Sequence, residues 1–458
     1  MKFIDESNLN DKINMFVKDM NNLFKDAETE IKDMLIKDNK NTRQRVLSFR
    51  DVLCYKFNYS FRYKKQLDVI NEYKFNNCVD CHKSAFYRKE NKIPLEYYKN
   101  IHERILKIHN KYTGKYEYNI IAVDGTYNNT NIKNNKTLET SLNMGYYDVN
   151  NNIPIELTFK GEQYKNREID SLIEQLEQNN IQLSNVILVL DRGYCSYELF
   201  DYLHQKNIKF VIRIRNNCKY VKNNNISDYN SAYRIVNYNY NTSSIKELKN
   251  KKKDIVEKYN VIINVNCNMI TNLNSDIFNN EHIREIYNSR WKVEEFFKLI
   301  KSNFNFSNMK ENNNNAEITY IKSYYNIQII CILEGILEKI FKDHIDKTNQ
   351  NHEDYSITIN KSSLIDRIRG IINDIIFSRL DYCKISLLGK IYINLNYRKK
   401  NTNNPRISKT PFTKWYVKDY HSKYDVQKMF DAFLTDDKTS INKNLKTRLK
   451  SYTFIKIE

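Results

Sequence analysis

A chain of 458 residues exceeds one ordinary hydrophobic core, so roughly two to four domains are expected. Hydrophobic residues make up 41%, ample for folding, and 74 Lys+Arg against 55 Asp+Glu leave a net charge of +19. That surplus favours a polyanionic partner, nucleic acid first. Abundant Asn, Lys, Ile and Tyr beside only 8 Gly, 4 Pro and 2 Trp is, however, the skew an AT-rich genome imposes, so the charge counts only in part. No window reaches the ~18 uninterrupted apolar residues of a membrane span; residues 327–341 come nearest and carry Glu334, Glu338 and Lys339. The N-terminus lacks an apolar leader and the 8 cysteines are dispersed, so a soluble intracellular protein of a reducing compartment is expected.

Residues 1–113 read as helical and polar, with apolar spacing over 47–59 and 66–73 and a short helix over 84–92 ended by Ile93-Pro94. Short helices around a turn suit a DNA-binding region, and a plain helical bundle suits the pattern equally. From Tyr116 the period changes. Asn119 to Gly125 reads as a buried strand, 141–149 and 153–159 as two more in a meander, and 167–178 as a helix. The continuous apolar run 185–191 suits a strand covered on both faces; a helix over 197–205 and a strand over 210–214 follow. This order, β-β-β-α-β-α-β, is that of an α/β RNase H-like core with a mixed sheet flanked by helices. Residues 216–281 read as a mostly β insertion with strands over 232–240 and 254–267. The chain is then helical through 341, and a helical, basic region over 342–458 carries Arg398, Lys399, Lys400, Arg406 and Lys409. The expected parts are therefore 1–113, a core split between 114–215 and 282–341, the insertion, and 342–458.

In so glycine-poor a chain each glycine is informative. Asp124-Gly125 ends the first buried strand and Asp191-Arg192-Gly193-Tyr194 follows a later one, where α/β sheets commonly set their sites. The segment Tyr287 to Lys301 supplies the rest. Wound as one helix, it brings Tyr287, Arg290, Glu294 and Lys301 within an arc of roughly 60°, beside an apolar stripe of Ile286, Val293, Phe296, Phe297 and Ile300, with Arg284, Lys292, Glu295 and Lys298 toward solvent. Three carboxylates, Asp124, Asp191 and Glu294, suit two hard cations such as Mg²⁺. An ion-pair-laced amphipathic helix would show the Arg290–Glu294 pair as well; the two aspartates tip the reading toward chemistry.

The motifs Asp124, Asp191-Arg192-Gly193-Tyr194 and Tyr287-x2-Arg290-x3-Glu294-x6-Lys301 resemble those of the IS4-type DDE transposases. Ser84-Ala85-Phe86, Ile153-Pro154, Thr271-Asn272-Leu273 and Arg290-Trp291 extend the likeness over about residues 84–301. The resemblance implies cut-and-paste transposition of DNA: water nicks the element's end, and the freed 3′-hydroxyl attacks DNA, in some members through a hairpin. It implies two Mg²⁺ ions (Mn²⁺ as substitute) on Asp124, Asp191 and Glu294, with Asp124 shared. DNA contacts are implied for Tyr287, Arg290 and Lys301, with Arg192 and Lys298 beside them. The partners implied are double-stranded DNA with terminal inverted repeats, target DNA, and a second copy in a synaptic dimer. A nuclease of the same fold that never joins strands, or a non-catalytic DNA-binding derivative, are the alternatives. Some members stack a displaced base on an insertion tryptophan; here only Tyr220, Tyr229, Tyr233, Tyr238 or Tyr240 could substitute, and Trp291 is expected to pack. Cys78-x2-Cys81-His82 lacks a second pair at zinc spacing and reads as residues of a helix entry.

Overall fold

The computed structural model describes residues 6–37, 47–61, 65–114, 116–130, 139–178, 185–214, 234–239, 256–262, 268–274, 276–307, 316–350, 355–389 and 395–399. The chain divides into a compact unit Met1–Arg398 and a second, Lys399–Glu458. All but one of the described residues lie in the first, and Lys400, Arg406 and Lys409 of the basic cluster lie outside them.

The first unit is built on one mixed sheet. Strands β1 (Asn119–Thr130), β2 (Glu139–Asp148) and β3 (Ile153–Gly161) form an antiparallel meander. Helix α6 (Glu168–Glu177) leads to β4 (Val186–Leu190), and α7 (Tyr197–Gln205) leads to β5 (Lys209–Ile214). β4 runs parallel to β1 and β5 parallel to β4, which gives the RNase H-like order β3-β2-β1-β4-β5. All five residues of β4 are buried because both faces are covered. Leu172, Leu176, Leu199, Phe200 and Leu203 of α6 and α7 close one face. Ile283, Ile286 and Tyr287 of α8 (Asn280–Ser289) meet Ile187, Val189 and Val211 on the other.

The β-rich insertion does not form a separate layer among the described residues. Its strands β6 (Arg234–Asn239), β7 (Val256–Ile262) and β8 (Asn268–Thr271) continue the same sheet, with β8 antiparallel to β5. An open edge on β5 would leave backbone groups unpaired. Thr271 donates its hydroxyl to the Phe210 carbonyl, and the Asn272 amide accepts from Phe210 N–H (2.9 Å) and donates to the Ile208 carbonyl (2.8 Å). The opposite edge is closed by a helix. Gln328 of α10 (Ala316–Gln350) accepts from the Leu157 N–H of β3 at 2.9 Å and donates to its carbonyl at 3.4 Å. This α10 holds the largely apolar run 327–341, which is buried on nearly all sides because protein encloses it. No helix among the described residues is long and apolar enough to cross a membrane.

The N-terminal helices α1 (Glu6–Lys37), α2 (Phe49–Ser60), α3 (Gln66–Asn76), α4 (Lys83–Glu90) and α5 (Leu95–His109) share one apolar core with α10, α9 (Trp291–Asn303) and α11 (Lys361–Ile376). His82 is the N-cap of α4, its ring nitrogen accepting from the Ser84 N–H. The region expected to be helical from 342 also contains a two-stranded sheet, β9 (Tyr355–Ile359) with β10 (Leu395–Lys399), besides α11 and the short α12 (Tyr382–Leu387). Asn152, Asn185 and Asn207 adopt left-handed turns at φ 60°, 58° and 53°. Asparagine tolerates that region better than other non-glycine residues, so it does in this chain what glycine does elsewhere.

Burial of two histidines makes this helical core acid-sensitive. His102 and His109 are 4% and 0% exposed, and desolvation pushes both imidazoles down to about 4. With the folded value below the unfolded one, their stabilisation is complete above about pH 6.5 and is lost as pH falls through about 4. Urea midpoints should therefore drop from pH 6.5 to 4, less steeply in His102→Leu; an unchanged slope would exclude His102 as a cause.

Candidate active site

The register of the central strands sets the site. Val123 pairs with Leu190 across the parallel β1–β4 ladder, so the next residue on each strand is an aspartate, Asp124 and Asp191. Neighbouring strands lie about 4.8 Å apart, which brings both acids to one end of the sheet. Asp124 turns back to accept from the Gly125 N–H at 2.9 Å. Burial, and then the charges of Glu168 and Glu294, push its carboxyl up to about 6 against the opposing pull of Gly125 and Arg290.

The expected single helix from Tyr287 to Lys301 is two helices, α8 and α9, joined at Arg290. The Arg290 N–H bonds to the Tyr287 carbonyl three residues back, which tightens the backbone there. The polar row still converges on the acids. Arg290, 9% exposed, lies 2.6 Å from Glu294 through Nη2 and 3.8 Å from Asp124 through Nη1. Tyr287 donates its hydroxyl to Asp191 at 3.3 Å, with the Arg290 guanidinium 5.8 Å from its ring centre. Lys301 donates to Thr126, two residues beyond Asp124, and burial lowers its pKa. The apolar side of α9 seats Val293, Phe296, Phe297 and Ile300 in the core. A Cβ on Gly145 would come within 2.7 Å of the Phe297 ring, so glycine permits this close approach of α9 to β2.

Other expected residues sit further out. Arg192 is exposed in the turn after β4, and Lys298 is exposed with Nζ 4.2 Å from the Trp291 ring centre. Trp291 does not pack as expected: it is 47% exposed, because it opens α9 on the side away from the apolar stripe. Lys292, expected in solvent, donates to the Val149 carbonyl at 2.9 Å and ties α9 to the end of β2. Tyr220, Tyr229, Tyr233 and Tyr240 lie outside the described residues, and so does the side chain of Tyr238.

Sequence reasoning missed Glu168. It opens α6, and its carboxylate lies where a Gly125 Cβ would be, 2.8 Å from that position. Its only sequence signal was an acid in the first turn of a helix, which normally complements the helix dipole.

Asp124, Asp191 and Glu294 offer carboxylate oxygens alone, the donors a hard divalent cation takes. As arranged, no three Asp, Glu, His or Cys groups among the described residues are close enough together to hold an ion. Arg290 instead bridges Asp124 and Glu294. In kind, though not in their present spacing, these donors fit such a cation.

Residues 115–324, which include β1 to β5, the paired aspartates and Glu294, match the family model of the transposase DDE domain. A curated relative, the "Putative transposase for insertion sequence element IS4SA" of Synechocystis sp. (strain ATCC 27184 / PCC 6803 / Kazusa), is 26% identical over 187 residues. This region is thus similar to transposase DDE domains, the IS4 element's among them. The alignment covers 39% of the chain and 46% of that relative. Among solved structures, the chain is similar to a piggyBac transposase in a synaptic complex with hairpin DNA, at TM-score 0.35 and 9% identity, covering 84% of this chain and 76% of that one. Within the matched region the chain leaving β8 passes through α8 and α9, so Tyr287, Arg290 and Glu294 reach the sheet end that carries Asp124 and Asp191.

Proposed function

We propose that this chain is a DNA transposase that works by cut-and-paste: water cleaves a strand at the element's end, and the freed 3′-hydroxyl attacks either the opposite strand, giving a hairpin, or target DNA. The observation that carries the reading is the register neighbourhood of Asp124 and Asp191 within the matched DDE domain, with Glu294 linked to Asp124 through Arg290. In this reading the three carboxylates would hold two Mg²⁺ ions, or Mn²⁺, with Asp124 shared between them. Such ions activate the attacking oxygen and stabilise the leaving one.

The other residues handle DNA. A phosphate offers Arg290 a bidentate partner; taking it draws the guanidinium off Glu294 and frees that carboxylate. The Lys301 ammonium and the Tyr287 hydroxyl flank the same place, and the exposed Arg192 and Lys298 reach the adjoining backbone. Residues 1–113 would bind the terminal repeats, and two copies would pair the two ends. The remaining partition, core at 114–215 and 282–341, insertion at 216–281 and basic region at 342–458, belongs to the same proposal.

A linear duplex carrying the gene with both flanks, labelled at one end, tests it. Purified chain with Mg²⁺ is expected to nick at discrete sites bounding the gene, and EDTA to abolish this. Cleavage at random positions would indicate a nuclease instead, and no metal-dependent cleavage a DNA-binding derivative.

A further inference from the structure

Glu168 lies outside the family pattern, yet the chain around the catalytic acids is arranged about it. Tyr127, three residues past Asp124, donates its hydroxyl to Glu168 at 3.1 Å and accepts at 3.2 Å from the Asn166 N–H. Tyr194, three residues past Asp191, is 1% exposed and points its hydroxyl at the Met144 sulfur at 4.0 Å, within the electrostatic reach of the same carboxylate. Gly125 provides the room: a Cβ there would lie 2.8 Å from the Glu168 carboxyl carbon. The group also borders an open recess of about 320 Å³ with Tyr127, Arg167 and Gly193, so its carboxylate is not buried filler.

We propose that Glu168 is a positioning residue of the catalytic centre, holding the segment that carries Asp124, through Tyr127, against the turn that follows Asp191, whose Gly193 lines the same recess, and so fixing the separation of the two aspartates. The proposal rests on the transposase reading above. Two carboxylates that share a cation need a set spacing, and outer residues that orient ligands typically contribute 10–100-fold to metal affinity.

The test uses the full chain without DNA and Mn²⁺ as probe, with binding read by paramagnetic resonance and folding by thermal melting. Glu168→Ala is expected to weaken Mn²⁺ binding by about tenfold or more at an unchanged melting midpoint. Glu168→Gln keeps an oxygen for Tyr127 and should recover most of the affinity, whereas Tyr127→Phe should lose part of it. Wild-type affinity in Glu168→Ala overturns the proposal. Equal losses in the Ala and Gln variants also overturn it, because the charge rather than the Tyr127 contact would then matter. Asp124→Asn separates this from the underlying reading: if it binds Mn²⁺ as the wild type does, the divalent-cation assignment fails and takes the positioning role with it.

Discussion

Glu294→Gln is expected to lower metal-dependent strand cleavage by at least about 10³-fold while leaving the fold intact. An ion held at a reacting phosphate supplies several kcal/mol of transition-state stabilisation, and each 1.36 kcal/mol is tenfold in rate. The amide keeps the size of the carboxylate and can still accept from Arg290, but it loses the charge that holds a cation. Folding should not respond, because Glu294 lies on the polar side of α9 while Val293, Phe296, Phe297 and Ile300 anchor the helix. Cleavage of end-labelled duplex beside a thermal melt separates the two effects. Full cleavage by the variant would remove Glu294 from the catalytic assignment.

The second large effect is on stability, far from the acids. Lys56 of α2 and Glu90 of α4 form an ion pair at 2.7 Å with side chains 0% and 5% exposed. Lys322 of α10 donates to the Glu90 carbonyl at 3.3 Å, and burial pushes its ammonium down to about 8 although Glu90 pulls it up. Glu90→Ala strips the charge facing two buried ammonium groups and should cost about 3–5 kcal/mol. Replacing both partners of the pair by apolar groups, as in Lys56→Met with Glu90→Leu, should recover most of that. Urea unfolding measures both. If the single variant loses less than the double, the pair is not what holds α2 to α4.

The fold was legible wherever burial is complete or alternation regular. The run Val186–Leu190 announced a covered central strand, and helix Tyr197–Gln205 was legible to the residue. The insertion's destination was not, because pairing of β8 with β5 is a long-range choice that depends on an open edge. The break at Arg290 escaped the wheel because its backbone angles remain helical, φ −53° and ψ −32°. Trp291 misled because an aromatic beside an apolar stripe reads as core, while its place at the start of α9 turns it outward. Glu168 was invisible because its partner, Tyr127, lies 41 residues before it, and only the folded sheet unites them.

The central claim is that this site both cuts and joins DNA. A duplex with the gene's terminal sequence, pre-cut to expose a labelled strand with a free 3′-hydroxyl, is incubated with the chain, Mg²⁺ and an unlabelled plasmid. Transfer of label into the plasmid, lost in Asp124→Asn, Asp191→Asn and Glu294→Gln, is the expected result. Label that is only shortened, or that joins equally well in the three variants, would contradict the account.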